Sequence, residues 1–82
     1  MTSIEPRPSP RAEVFRVLLT ERRKAAGLTQ EQVAEKMGWH QSSVAAVEAG
    51  NRRIDVLEYL KLAEAIGFDP CKLIKTIHGI EC

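Results

Sequence analysis

The chain carries little of what covalent chemistry requires. Its two cysteines, Cys71 and Cys82, are too few for a disulfide framework, and a reducing compartment would keep both as thiols. Cys71, His78 and Cys82 share one segment, but their spacing matches neither C-x-x-C nor H-x-x-x-H and no fourth ligand stands nearby, so no metal site is expected. Neither His40 nor His78 has a nucleophile or acid partner in a catalytic pattern, and there is no glycine-rich phosphate loop. The chain should therefore be no enzyme and need no cofactor. No apolar run approaches the ~18 residues of a membrane span, and MTSIEPRPSPR lacks the apolar centre of a signal peptide, so a cytoplasmic location is expected. Strand alternation, internal repeats and low-complexity segments are missing too.

What is present is helical. With 44% hydrophobic and 28% charged residues the chain has the composition of a globular domain. At 82 residues one core is the limit, burying only about 60% of the unfolded surface, so stability is marginal and dimerisation would help. Pro6, Pro8 and Pro10 alternate in the opening stretch, which predicts a disordered arm over residues 1–9. A first helix should open at Ser9 or Pro10 and run to Ala26, with Val14, Phe15, Val17 and Leu18 inward and Gly27 as its stop. Thr29 and Gln32 form a capping box for a second helix, which buries Val33, Ala34 and Met37 and ends at Gly38. His40 or Gln41 should cap a third, with Val44 and Val47 inward. Asp55 and Glu58 cap a fourth, buried through Val56, Leu57, Leu60, Ala63 and Ile66 and closed by Gly67. Asp69-Pro70 starts a fifth, whose apolar side is Leu73, Ile74 and Ile77. The expected fold is an all-α bundle of five short helices over residues 10–78, followed by a tail over residues 79–82 that could serve as a dimer contact.

The stretch QEQVAEKMGWHQSSVAAVEA, Gln30 to Ala49, holds the sharpest signal. Ala34 is small where two helices press closest and Gly38 sits where the chain must reverse, which is the spacing of a helix-turn-helix. Its second helix leaves Gln41, Ser42, Ala45, Ala46 and Ala49 outward and is built to lie in a DNA major groove. The wider segment, KAAGLTQEQVAEKMG with VEAGNRRIDVLEYLKLAEAIGFDP, resembles the Cro/repressor-type (XRE) helix-turn-helix family, whose fold is a lambda-repressor-like bundle. It carries the family's G-L-T-Q opening, A-x-x-x-G turn, E-x-G exit, basic loop and closing helix, and the likeness runs from about Val17 to Ile77.

The resemblance implies a sequence-specific regulator of transcription, a repressor that binds double-stranded DNA as a homodimer. By it, Gln30 contacts the DNA backbone, and Asn51, Arg52 and Arg53 form the loop that meets phosphates. It also implies a structural ion pair between Arg23 and Glu48. Gln41 and Ser42 open the recognition helix, where side chains reach base edges; glutamine suits adenine N6 and N7, and Ala45 and Ala46 offer methyl groups to thymine. Ser43 lies where a backbone contact is expected. Arg7 and Arg11 in the arm would enter a neighbouring groove, and Trp39 would cover the start of the recognition helix. Net charge is only +1, but residues 1–24 carry +3 and residues 25–82 carry −2, so the basic end would flank DNA. Ile74, Ile77 and Ile80 recur at threefold spacing and make the expected dimer surface. Two other readings use the same fold: an antitoxin-type protein that binds a toxin partner as well as DNA, and a protein-interaction adaptor.

Overall fold

The computed structural model describes residues 9–80, which form α1 (Pro10–Ala25), α2 (Gln30–Met37), α3 (Gln41–Ala49), α4 (Val56–Ile66) and α5 (Pro70–His78) and no strand. Most of the expected arm, Arg7 included, and the tail's last residues, 81 and 82, lie outside the described residues. Four of the five helices start on a side-chain cap. Ser9 accepts from the Ala12 N–H at 3.1 Å, and Asp69 accepts from the Cys71 and Lys72 N–H groups. Thr29 with Gln32 and Asp55 with Glu58 close full capping boxes, satisfying two orphan donors each. The exception is α3. His40 is the N-cap residue, one of the two expected, but makes no side-chain cap bond, and Gln41 lies inside the helix. The Ser43 N–H instead reaches back to the His40 carbonyl at 2.9 Å.

Gly38 carries the reversal between α2 and α3. Its φ of 73° is left-handed, a conformation that costs a residue with a Cβ roughly 1–2 kcal/mol. The Trp39 N–H then bonds the Ala34 carbonyl at 2.9 Å, closing the α2 C-terminus.

The core joins Leu19 of α1, Val33, Ala34 and Met37 of α2, Val44 and Val47 of α3, and Leu62 and Ile66 of α4. Phe15, Leu28, Trp39, Ile54 and Phe68 pack around it. Helix α2 lies mainly on α3 and α4, while α1 bridges α3 and α5. Tyr59 stands between Phe15 and Phe68 with ring centroids 5.8 and 6.0 Å away, and its hydroxyl donates to the Pro70 carbonyl, tying α4 to α5. Burial first, then the nearby Cys71 and Asp69, pushes the Tyr59 phenol above its ordinary pKa.

The inward faces of α1 and α4 differ from expectation. Leu19 rather than Val17 is the buried anchor of α1, with Val17 exposed and Val14 and Leu18 half-buried. On α4 the buried set is Tyr59, Leu62, Ala63 and Ile66, whereas Val56, Leu57 and Leu60 face solvent. On α5 Leu73 is buried, Ile77 half-buried and Ile74 exposed. Residues 59, 62, 63 and 66 follow one helical stripe and 56, 57 and 60 a neighbouring one, so a helix with this wide apolar surface has two candidate inward phases. Helix α2 settles the matter by packing on one of them.

Leu19→Ala and Leu62→Ala should each cost about 2–5 kcal/mol in urea unfolding, and Val17→Ala less than about 0.5 kcal/mol. Equal losses at Val17 and Leu19 would contradict the phase of α1.

Candidate nucleic-acid interface

Three helices meet at Glu48. Its carboxylate, near the C-terminal end of α3, accepts from Arg23 Nε at 2.6 Å and Arg23 Nη2 at 3.0 Å, a bidentate pair between α1 and α3. Arg23 Nη1 also donates to the Leu28 carbonyl in the α1–α2 loop. Both side chains are about nine-tenths buried. Pairs this dry add little net stability, yet removing one partner strands the other charge. Burial pushes the Glu48 carboxyl upward, but hydrogen bonds from Arg23 and Gln30 and the charges of Arg23 and Lys24 outweigh it and hold the pKa below its ordinary value.

A third donor reaches the same carboxylate. Gln30 Nε2 sits 2.9 Å from Glu48 Oε1, and Gln41 Nε2 donates to Gln30 Oε1 at 2.6 Å. An unbroken chain thus runs Arg23, Glu48, Gln30, Gln41, from the dry interior to the exposed first turn of α3. Gln41 and Glu48 stand seven residues apart on one edge of that helix, which is why Gln30 at the start of α2 spans them.

Ser42, Ala45, Ala46 and Ala49 form the outward stripe of α3, with Ser42 and Ala49 exposed and Ala45 and Ala46 half-buried. Three alanines in four places keep this face flat, so the helix axis can approach a surface closely. Ser43 is half-buried at the stripe's side. Two flanks border the stripe. At one end Lys24, Gln30, Glu31 and Gln41 line an open depression where α1 meets α2. Lys24 was not among the sequence candidates; only the fold brings its exposed charge beside the glutamines.

At the other end lies the loop after Gly50. The Asn51 and Arg52 N–H groups bond the Ala46 carbonyl, and Gly50, at φ 84°, leaves the chain turned back along α3. A Cβ there would stand 3.3 Å from Arg16 Cδ, whose guanidinium reaches the Glu48 carbonyl. Asn51 and Arg53 are exposed, and Arg53 has no ion-pair partner among the described residues. Arg52 is committed elsewhere. It stacks over the half-buried Trp39 ring at 4.1 Å and pairs with Glu58 at 3.2 Å, pinning loop to turn.

One expected placement is corrected. Arg11 is not in an arm but in α1, with its guanidinium donating to the Ile80 and His78 carbonyls. Those bonds fold the start of the expected tail back on α1, leaving Ile77 and Ile80 half-buried and Ile74 alone exposed among the three expected dimer residues. Among the described residues no cluster of His, Cys, Asp or Glu could hold a metal, and no helix is long and apolar enough to cross a membrane.

Known proteins share this arrangement. The helix-turn-helix family model matches residues 19–73. An uncharacterized HTH-type transcriptional regulator of Methanothermobacter thermautotrophicus is 36% identical over 53 residues, 65% of this chain and 77% of its own length. An XRE-family like protein from Pseudomonas syringae pv. tomato superposes with a TM-score of 0.79 at 38% identity, covering 83% of each chain. The restriction-modification controller protein C.AhdI from Aeromonas hydrophila superposes at 0.68 and 38% identity, over 77% of this chain and 94% of its own.

The lowered Glu48 pKa fixes a sign. Its stabilisation is complete above the unfolded carboxylate pKa of about 4.3 and is lost as pH falls through the lower folded value. Glu48→Gln should destabilise the domain by about 3–5 kcal/mol at neutral pH, because Arg23 is left buried without its charge partner, and should flatten the acid limb of the Tm profile. A variant that melts with the wild-type profile would remove Glu48 as the anchor.

Proposed function

The chain belongs to the helix-turn-helix family and is a transcriptional regulator of the XRE type, and from that premise we propose that it is a repressor that binds a twofold DNA operator as a homodimer. The observation that carries the reading is the hydrogen-bond chain ending at Gln41. A carboxylate only accepts, so Glu48 compels Gln30 to present its NH₂; the Gln30 oxygen must then accept, and Gln41 must donate to it. The polarity of both amides follows from one buried charge. Gln41 retains its Oε1 and one N–H, the acceptor and donor that match adenine N6 and N7 in the major groove. Ser42 reaches the next base edge, and Ala45 and Ala46 meet thymine methyl groups.

Gln30, Ser43, Asn51 and Arg53 supply the phosphate contacts, with the free N–H groups at the start of α2 beside Gln30. Lys24 joins that flank. Arg52 keeps the loop shaped through Trp39 and Glu58 and turns its remaining N–H directions to the backbone. So few cations suit a net charge of +1 and a modest salt dependence. One short recognition helix reads only a few base pairs, and two half-sites about one helical turn apart supply the missing specificity. A domain that occupies a promoter in this way blocks polymerase, which is repression.

Affinity measured across salt concentrations separates these roles. Gln41→Ala should lose about 1–3 kcal/mol of discrimination between duplexes with an unchanged salt slope. Arg53→Ala should weaken binding to all duplexes and lower the slope by about 1. A Gln41→Ala protein that keeps the wild-type preference would refute the reading residue, and a folded wild type that binds no duplex would turn the reading toward a toxin or adaptor partner.

A further inference from the structure

Among the described residues Arg53 has no ion pair of its own, so its position is set by the loop that carries it. That loop is strapped from two sides. Helix α3 has no basic residue in its last turn, and Arg16 of α1 supplies the missing cation: its Nη1 donates at 3.3 Å to the Glu48 carbonyl, a last-turn acceptor without an intrahelical donor. Arg16 Nη2 meets Glu13 Oε1 at 2.7 Å, so both ends of the fork are held. The Arg16 stem lies against Gly50, where an added Cβ would stand 3.3 Å from Cδ and 3.5 Å from Nε. A glycine at the turn lets this strap pass. From the other side the Arg52 guanidinium stands 4.1 Å over the Trp39 ring and pairs with Glu58 Oε2 at 3.2 Å. Glu58 Oε1 meanwhile accepts from the Asp55 N–H at 3.0 Å. Arg52 thereby joins the loop to the turn before the recognition helix and to the capping box of α4.

We propose that Arg16 and Trp39 are positioning residues for DNA binding, which hold the Asn51–Arg53 loop where its side chains meet phosphates; the proposal rests on the DNA-contact reading above. Arg16 spends its fork on Glu48 and Glu13, and the Trp39 ring carries no charge for a phosphate. Their effect passes through Arg53. A loop ordered before contact loses less freedom on binding, whereas a loop released from either strap must be ordered by the DNA.

Anisotropy titrations of a random-sequence duplex pool across salt concentrations, arranged as double-mutant cycles with Arg53→Ala, test this route. Arg16→Met and Trp39→Leu should each weaken binding about tenfold in the otherwise wild-type chain and less than about twofold when Arg53 is already Ala. Trp39→Leu removes no charge, so its loss cannot come from weaker attraction to the duplex. Trp39→Phe, which keeps a ring face for Arg52, should recover most of that loss. Helical circular dichroism checks the fold of each variant, and the half-buried Arg16 carries the test should Trp39→Leu fail to fold. Losses that add in the Arg53→Ala background, with a further drop of about 1 in salt slope for Arg16→Met, would make Arg16 a direct phosphate contact and overturn its positioning role. Wild-type affinity in both Arg16→Met and Trp39→Leu would overturn the proposal as well. A folded wild type that binds no duplex would instead overturn the DNA-contact reading beneath it.

Discussion

The helix-turn-helix is organised around one buried carboxylate. Glu48 binds Arg23 in a bidentate pair and thereby locks α3 to α1. A hydrophobic contact at that site would hold the helices together as firmly, but it would not direct hydrogen bonds. An ionised carboxylate accepts and never donates, and that asymmetry passes through Gln30 to Gln41. The interior charge thus fixes which way the exposed Gln41 amide points.

The remainder of the surface is built around the same helix. Its outward stripe is short and mostly alanine, which leaves the polar information at its N-terminal turn. On the two sides the fold places cations differently. Lys24 stands exposed at the α1–α2 junction and Arg53 in the loop after Gly50, whereas Arg52 is consumed by Trp39 and Glu58. Adjacent arginines in sequence therefore have separate tasks, one shaping the loop and one free within it. The apolar start of α4 lies just beyond that loop.

Local chemistry was readable without coordinates. Thr29 with Gln32, Asp55 with Glu58 and Asp69-Pro70 mark helix starts because each cap involves residues at most three apart, and Gly38 marks the turn because few other residues tolerate its φ. Val33, Ala34, Met37, Val44 and Val47 lie inside as their periodicity indicates. The phases of α1 and α4 were not readable. Both carry apolar residues on more than one face, and which stripe turns inward is decided by a neighbouring helix rather than by the segment. The stacking of Arg52 on Trp39 and the link between Gln30 and Gln41 join residues 13 and 11 apart through the folded turn. Arg11 misled for a similar reason, since its partners are the carbonyls of His78 and Ile80 at the far end of the chain.

The most direct trial of the account is selection of duplexes from a random library by the purified protein at near-physiological salt, followed by sequencing of what is retained. The account predicts a twofold motif with half-site centres about 10 bp apart and an adenine at the position facing Gln41 in each half. A retained pool with no enriched sequence, or an enriched motif without twofold symmetry, would contradict it.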